Sequence, residues 1–359
     1  MSKKIFPLIG LIVLGALLLS SCAGSALGAG QSWSNVTANQ ETGVVYLSAG
    51  SLIYAVDAKT GSLVWTAPEK PNARTTFYAP GLVVEKQLIV GDFKSAVHSF
   101  STVDGSEGWI FEDARDRFIG GAAYANDLIF VPSADYSVYA LNLQGDLVYT
   151  FETGQVNWST PVTDEDNVYF SSMDHHLYAY DLSNGELVWK TDMGGAINGS
   201  PALGDGMLYV GTLNREVIAV NASDGSIEWR SGADDYLWAT PLAHDGIVYI
   251  GDALGEIHAY DAATGDLSWT AAAGSPVTAK LTVVGDNLVA VTRALDVVAF
   301  SFDGEKVWTR SVTDSTGVLQ SDPVLVGDLL IIPVSAGSDT LMVAFDAAGN
   351  EVWSFLPAE

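Results

Sequence analysis

The chain repeats itself, and that repetition restricts its fold more than any single motif does. The stretch from Leu177 to Trp189, Leu-Tyr-Ala-Tyr-Asp-Leu-Ser-Asn-Gly-Glu-Leu-Val-Trp, reads as two short β-rich runs around a tight turn. Asp181 can accept a bond from a backbone N–H two residues on, and Gly185 can take the positive φ that closes the reversal without a Cβ clash. The pattern Ala-x-Asp-x-x-x-Gly-x-x-x-Trp returns at Ala55, Asp57, Gly61 and Trp65 and at Ala259, Asp261, Gly265 and Trp269, with Asn221 in place of Asp between Ala219 and Trp229. Looser copies run from Ser99 to Trp109, Ala140 to Tyr149, Ala299 to Trp308 and Ala344 to Trp353. From Trp65 through Trp109, Tyr149, Trp189, Trp229, Trp269 and Trp308 to Trp353 the steps are 44, 40, 40, 40, 40, 39 and 45 residues.

Eight units of this period, each with short strands and one large aromatic, predict an all-β, eight-bladed propeller of four-stranded antiparallel blades. No blade can bury both of its faces alone. Trp65, Trp109, Trp189, Trp229, Trp269, Trp308 and Trp353 are therefore expected to pack between units, beside the small Ala kept at the other end of the motif. Blade four gives the template: strand A near Trp158 to Thr163, B at Val168 to Ser171, C at Leu177 to Tyr180 and D at Leu187 to Trp189. Trp33 to Val36 and Glu351 to Phe355 fit the first strand A and the last strand D. On that reading each blade is continuous in sequence, and closure rests on packing of the last blade against the first.

The repeat Ala-x-Asp-x-x-Thr-Gly-x-x-x-Trp resembles the quinoprotein-type (PQQ-like) propeller repeat over nearly all of the chain after residue 31. Families with this repeat include quinoprotein dehydrogenases and the outer-membrane-protein assembly lipoprotein family BamB. A dehydrogenase would imply pyrroloquinoline quinone and calcium. The alcohol-oxidising enzymes, however, have longer chains and a vicinal cysteine pair, and this chain has one cysteine, outside the repeats. No bound cofactor and no catalytic residues are expected. His98, His175, His176, His244 and His258 do not form a metal-ligand spacing, and adjacent His175 and His176 diverge in an extended segment. Eight blades, a lipobox and similar size make BamB the fuller resemblance, which implies a non-catalytic scaffold with a β-barrel assembly machine as partner.

Residues 1–21 read as a lipoprotein signal peptide: Lys3 and Lys4 precede an apolar run from Leu8 to Leu19 that is short for a bilayer span. Leu19-Ser20-Ser21-Cys22 resembles the bacterial lipobox, which makes Cys22 the lipidation site, residues 22–31 the lipidated cysteine and tether, and residues 32–359 the propeller. Ala23 after the cysteine implies, in a two-membrane cell, the outer membrane facing the periplasm; in a one-membrane cell the protein would sit on the outer surface of the cell membrane. Removing the leader takes Lys3 and Lys4 but no acid, so the formal charge of −27 becomes −29. So acidic a body disfavours nucleic acid and adsorption to an anionic bilayer by charge alone. A monomeric fold is expected.

The loops from B to C and from D to the next A share one face, and propellers commonly bind there. Aligning the residue three before the strand-A proline places Trp33, Phe77, Phe118, Trp158, Asn198, Trp238, Thr278 and Gln320 in one column. Its aromatics could plug the channel or anchor a peptide or a cell-envelope polysaccharide. Arg74, Lys94, Arg115, Arg117, Arg215, Lys280 and Arg293 fall on the same face. They could focus a positive patch for an anionic partner, or pair locally with Asp113, Asp116, Glu216 or Asp296.

Overall fold

Each repeat folds into one four-stranded antiparallel sheet, and eight such sheets stand around an axis. The computed structural model describes residues 34–313, 316–337 and 339–357. The leader, Cys22 and Trp33 lie outside the described residues. Strands A to D follow one another in sequence within every blade, from Asn35–Asn39 through Leu63–Ala67 in the first to Val324–Val326 through Glu351–Phe355 in the last.

The hairpin between C and D forms as its residues dictate. In blade four, Ser183 N–H donates to Asp181 Oδ1 at 2.7 Å, Gly185 N–H closes onto Asp181 O at 2.9 Å, and Gly185 has φ +72°. Strands C (His176–Asp181) and D (Leu187–Asp192) set Ala179 opposite Trp189, with a bulge between Ala179 and Tyr180. Strand D is longer than its apolar run suggested, while strand A is shorter, only Val162–Thr163. The residues before it bond outside the blade instead: Asn157 N–H to Ser133 O and Thr160 N–H to the Ser200 hydroxyl.

The apolar core is divided into eight clusters, each lying between two successive blades. The cluster between blades four and five joins Tyr169, Leu177 and Trp189 to Leu208, Val210 and Ile218; the one between blades eight and one joins Ile331, Met342 and Phe355 to Val36, Val45 and Leu47. The ring therefore closes by packing, as the continuous blades required.

The tryptophans show how blades are joined. Where a blade carries both, Ala pairs with the Trp of its own blade, and in blade two, where Ser99 replaces the Ala, as elsewhere, the Trp ring lies on the turn glycine of the next: Trp65 on Gly105, Trp109 on Gly145, Trp189 on Gly225, Trp229 on Gly265, Trp269 on Gly304 and Trp308 on Gly349. The indole N–H of Trp189 then reaches Ala222 O at 2.9 Å, and that of Trp229 reaches Ala262 O at 3.0 Å. A Cβ on Gly225 would stand 2.6 Å from the Trp189 ring at φ +73°, whereas Gly206, at φ +76°, faces open space. Gly206→Ala should cost about 1 kcal/mol from the left-handed backbone alone, and Gly225→Ala upward of about 2 kcal/mol because the ring must also shift. Urea unfolding of the two variants checks the difference.

Candidate functional site

Because strand A runs from the face of the D–A loops to the face of the hairpin turns, the D–A and B–C loops share one face and the A–B and C–D turns the other. We call these the loop face and the turn face. Strand register shows that the proline alignment mixed two columns. Leu82 and Val162 occupy the same place opposite strand B, so Pro80 matches Thr160 and not Pro161. Phe77 and Phe118 thus belong with Asn157, Ile197, Leu237 and Val277, all buried inside the blade contacts. Trp158, Asn198, Trp238, Thr278 and Gln320 belong instead with Tyr78 and Ile119, one residue nearer the channel. Trp238 is 42% exposed, whereas Trp158 is half-buried with its indole N–H sealed and unpartnered.

Two residues further along strand A, a hydrogen-bonded ladder crosses the blades at the channel wall. Gly121 N–H donates to Thr160 Oγ1 at 3.0 Å, Thr160 N–H to Ser200 Oγ at 2.8 Å and Ser200 N–H to Thr240 Oγ1 at 3.1 Å. Lys280 breaks it, having no acceptor, and its own N–H donates to Asp322 Oδ1 at 2.7 Å. Asp322 contacts solvent, yet the channel wall encloses it, and that desolvation raises its carboxyl against the opposing pull of the Lys280 N–H and charge.

The loop face brings arginines onto aromatics in two places. The Arg117 guanidinium lies 4.7 Å over the Phe93 ring, and Phe93 stands edge-on to Tyr78 at 4.7 Å. Three blades away, Arg215 lies 5.2 Å over Tyr236 and 3.7 Å from Asp235, beside exposed Trp238 and Leu254. Phe93, Tyr236 and Leu254 were not legible as site residues because they lie in loops outside the repeat; the signal was a large apolar residue in a B–C or D–A loop. Glu216 pairs with Arg230 at 3.2 Å, not with Arg215. Arg74, Arg115 and Arg293 are exposed on the loop face, where Arg74 N–H meets Asn72 Oδ1, Arg115 N–H meets Asp135 Oδ2 and Arg293 N–H meets Pro276 O.

Between blades one and two the loop face opens into a cavity of about 380 Å³ lined by Lys70, Asn72, Phe77, Asp92, Lys94 and His98 among others. Asp92 Oδ2 meets His98 Nε2 at 3.0 Å, and the His98 ring stands edge-on to Phe77. Blade six repeats this dyad as Asp252 and His258 at 3.1 Å, but there the ring is sealed at 2% exposure and its other nitrogen faces Thr270. In blade two the opposite residue is Ile110, and His98, 13% exposed, borders the cavity.

Burial pushes the carboxyls of Asp92, Asp252 and Asp174 up, but their hydrogen bonds outweigh it. His98 with the Ala96 and Lys94 N–H groups, His258 with Glu256 and Leu254, and Tyr178 with Gly154 and His176 leave all three below the usual range. A carboxyl lowered on folding stabilises the native state above its unfolded pKa, near 3.9, and that contribution is lost as pH falls through the folded value. Asp322 has the opposite sign. Stability should therefore hold near neutrality and fall below about pH 4, with Asp92→Asn and Asp252→Asn flattening the fall, as acid titration followed by tryptophan fluorescence would show.

The model of the family described as outer membrane protein assembly factor BamB matches residues 48–159, 144–237 and 236–355. Among solved structures, BamB from Moraxella catarrhalis superposes with a TM-score of 0.72 at 16% identity, covering 88% of this chain and 98% of that one. The computationally designed Ika8 protein superposes with a TM-score of 0.73 at 13% identity, covering 89% and 98%. At these identities both likenesses are of fold. No curated protein matches the sequence.

Proposed function

We infer that this chain, which belongs to the family of outer membrane protein assembly factor BamB, is a non-catalytic, lipid-anchored envelope scaffold whose loop face captures a protein partner, a subunit of a β-barrel assembly machine. The observation that carries this reading is the pairing of arginine with exposed aromatic side chains at Arg117–Phe93 and Arg215–Tyr236, on an otherwise acidic protein. Arginine and aromatic residues are the side chains most enriched at interface hot spots, because they bury large area while keeping directional polar contacts. The family description names the machinery, and the lipobox at Cys22 supports a place on the membrane. Replacing Arg117 and Arg215 together with Ala should weaken partner capture by at least tenfold, as hot-spot truncations of about 1–2 kcal/mol each do. Quantitative pull-down from solubilised membranes measures it, and unchanged capture would exclude the arginine face.

A second reading has its own observation, the cavity beside His98. With Lys70, Asn72, Lys94 and a histidine on its walls, it suits a small polar ligand such as a sugar or a peptide end. Chemical-shift changes of the His98 ring on titration with envelope oligosaccharides or short peptides would favour it; a silent ring would exclude it.

A further inference from the structure

The long step between the first two repeats has a structural counterpart. Twelve residues separate Trp65 from Phe77, where eight separate Trp229 from Leu237 at the same step between blades five and six. The four extra residues fall in the D–A loop that follows strand D of blade one, Leu63–Ala67. That loop contributes Lys70 and Asn72 to the wall of the cavity between blades one and two. Two substitutions keep this cleft open where the cleft between blades five and six is shut. There, Tyr260 closes onto strand D of the preceding blade, its hydroxyl donating to Gly232 O at 2.8 Å, and Thr270 faces His258. Phe100, two residues after His98, has no hydroxyl to make the first contact, and Ile110 opposite His98 cannot make the second.

The polar groups held in place in this cavity are uncharged. Asp92 Oδ1 accepts the Lys94 and Ala96 N–H groups, each at 2.8 Å, and Oδ2 faces His98 Nε2 at 3.0 Å. A carboxylate can only accept, so the Nε2 proton lies toward Asp92 and Nδ1 is left as the acceptor of the neutral ring. Among the described residues Nδ1 has no partner, and it is not sealed from solvent. Asn72 is fixed the other way round. Its Oδ1 takes the Arg74 N–H at 3.0 Å, which leaves the side-chain NH2 as a donor. Apart from Asp92, whose carboxylate is taken up by its three N–H partners, the charges on the wall cancel: Lys70 and Lys94 stand against Glu107 and Glu112. All four are exposed, and none forms an ion pair among the described residues. An anion or a cation gains no net attraction from them, and the two ends of a zwitterion gain only solvent-screened pairs. The fixed groups call for a ligand that donates to one and accepts from the other without charge, and hydroxyl groups do both.

Resting on the cavity reading above, we propose that the cleft between blades one and two binds an uncharged saccharide, one of whose hydroxyls donates to His98 Nδ1 while another of its oxygens accepts from the Asn72 NH2. Thr75 and Ser95, also on the wall, supply hydroxyls that can donate or accept as the sugar requires. A cavity of about 380 Å³ lies at the small end of ligand sites and matches a mono- or disaccharide unit.

The test uses the full chain with isotopically labelled histidine, followed by NMR. The Nδ1 resonance of His98 is assigned by its loss in His98→Phe, or by replacing the other histidines in turn if that variant does not fold. Maltose, cellobiose and di-N-acetylchitobiose are the saccharide probes, and dialanine is the zwitterionic one. At least one disaccharide should shift the His98 resonance saturably and leave that of sealed His258 unmoved. Asn72→Asp keeps the cap on the Arg74 N–H but loses the donor, so it should weaken that saccharide by about fivefold, the loss of one hydrogen bond. An unchanged His258 resonance in this variant shows that its fold is intact. A shift with dialanine and with none of the disaccharides keeps the cavity reading and overturns the saccharide. A saccharide shift that Asn72→Asp does not weaken overturns the binding mode, and a His98 ring silent toward every probe sinks the cavity reading itself.

Discussion

Trp353→Ala should destabilise the propeller by about 3 kcal/mol, the lower end of the range for removing a large core aromatic, because the ring is only partly buried. The loss has a particular location. Trp353 lies on Gly61 and its indole N–H donates to Ala58 O at 2.9 Å, joining residues 295 apart in sequence. With the cluster of Val36, Val45, Met342 and Phe355, and with Gln40 Nε2 on Leu325 O, it forms the seam between the last and first blades. Each blade depends on its neighbours for burial, so opening this seam should expose blades one and eight first. Hydrogen exchange should rise there before it rises in blades four and five. Uniform exchange, or a loss below about 1 kcal/mol, would mean the seam is held elsewhere.

Asp252→Ala should cost more, about 3–5 kcal/mol, because it breaks a fully buried pair from one side. Asp252 is 0% exposed and accepts from the N–H groups of Leu254, Gly255 and Glu256 at 2.8–3.0 Å as well as facing His258. All of these groups lose a partner at once, in a place water does not reach. The matching change in blade two, Asp92→Ala, should cost less, since His98 borders an open cavity and can be solvated. Thermal unfolding of both variants measures the gap; equal losses would contradict the sealed-versus-open distinction between the dyads.

How much of this was legible in the sequence depends on how local each cause is. The Asp181 to Gly185 turn is set by side chains within five residues, and it forms as read. The eightfold repetition then made the architecture legible, since one blade's physics is every blade's. Strand A was misjudged because its backbone bonds go to other blades, as at Thr160 and Ser200. The aromatic column failed for a related reason. Proline marks the entry to strand A at Pro161 but sits one residue earlier at Pro80, and only pairing with strand B reveals the shift. The site was least legible. Arg117 meets Phe93 across two loops of different repeats, and neither periodicity nor spacing registers such a pair.

The most direct test of the scaffold account is mass spectrometry of what co-purifies with the lipidated protein after gentle solubilisation of its native membrane. The account predicts enrichment of an outer-membrane β-barrel assembly subunit, lost when Arg117 and Arg215 are replaced by Ala. Absence of that subunit from the wild-type preparation, or its retention by the double variant, would contradict it.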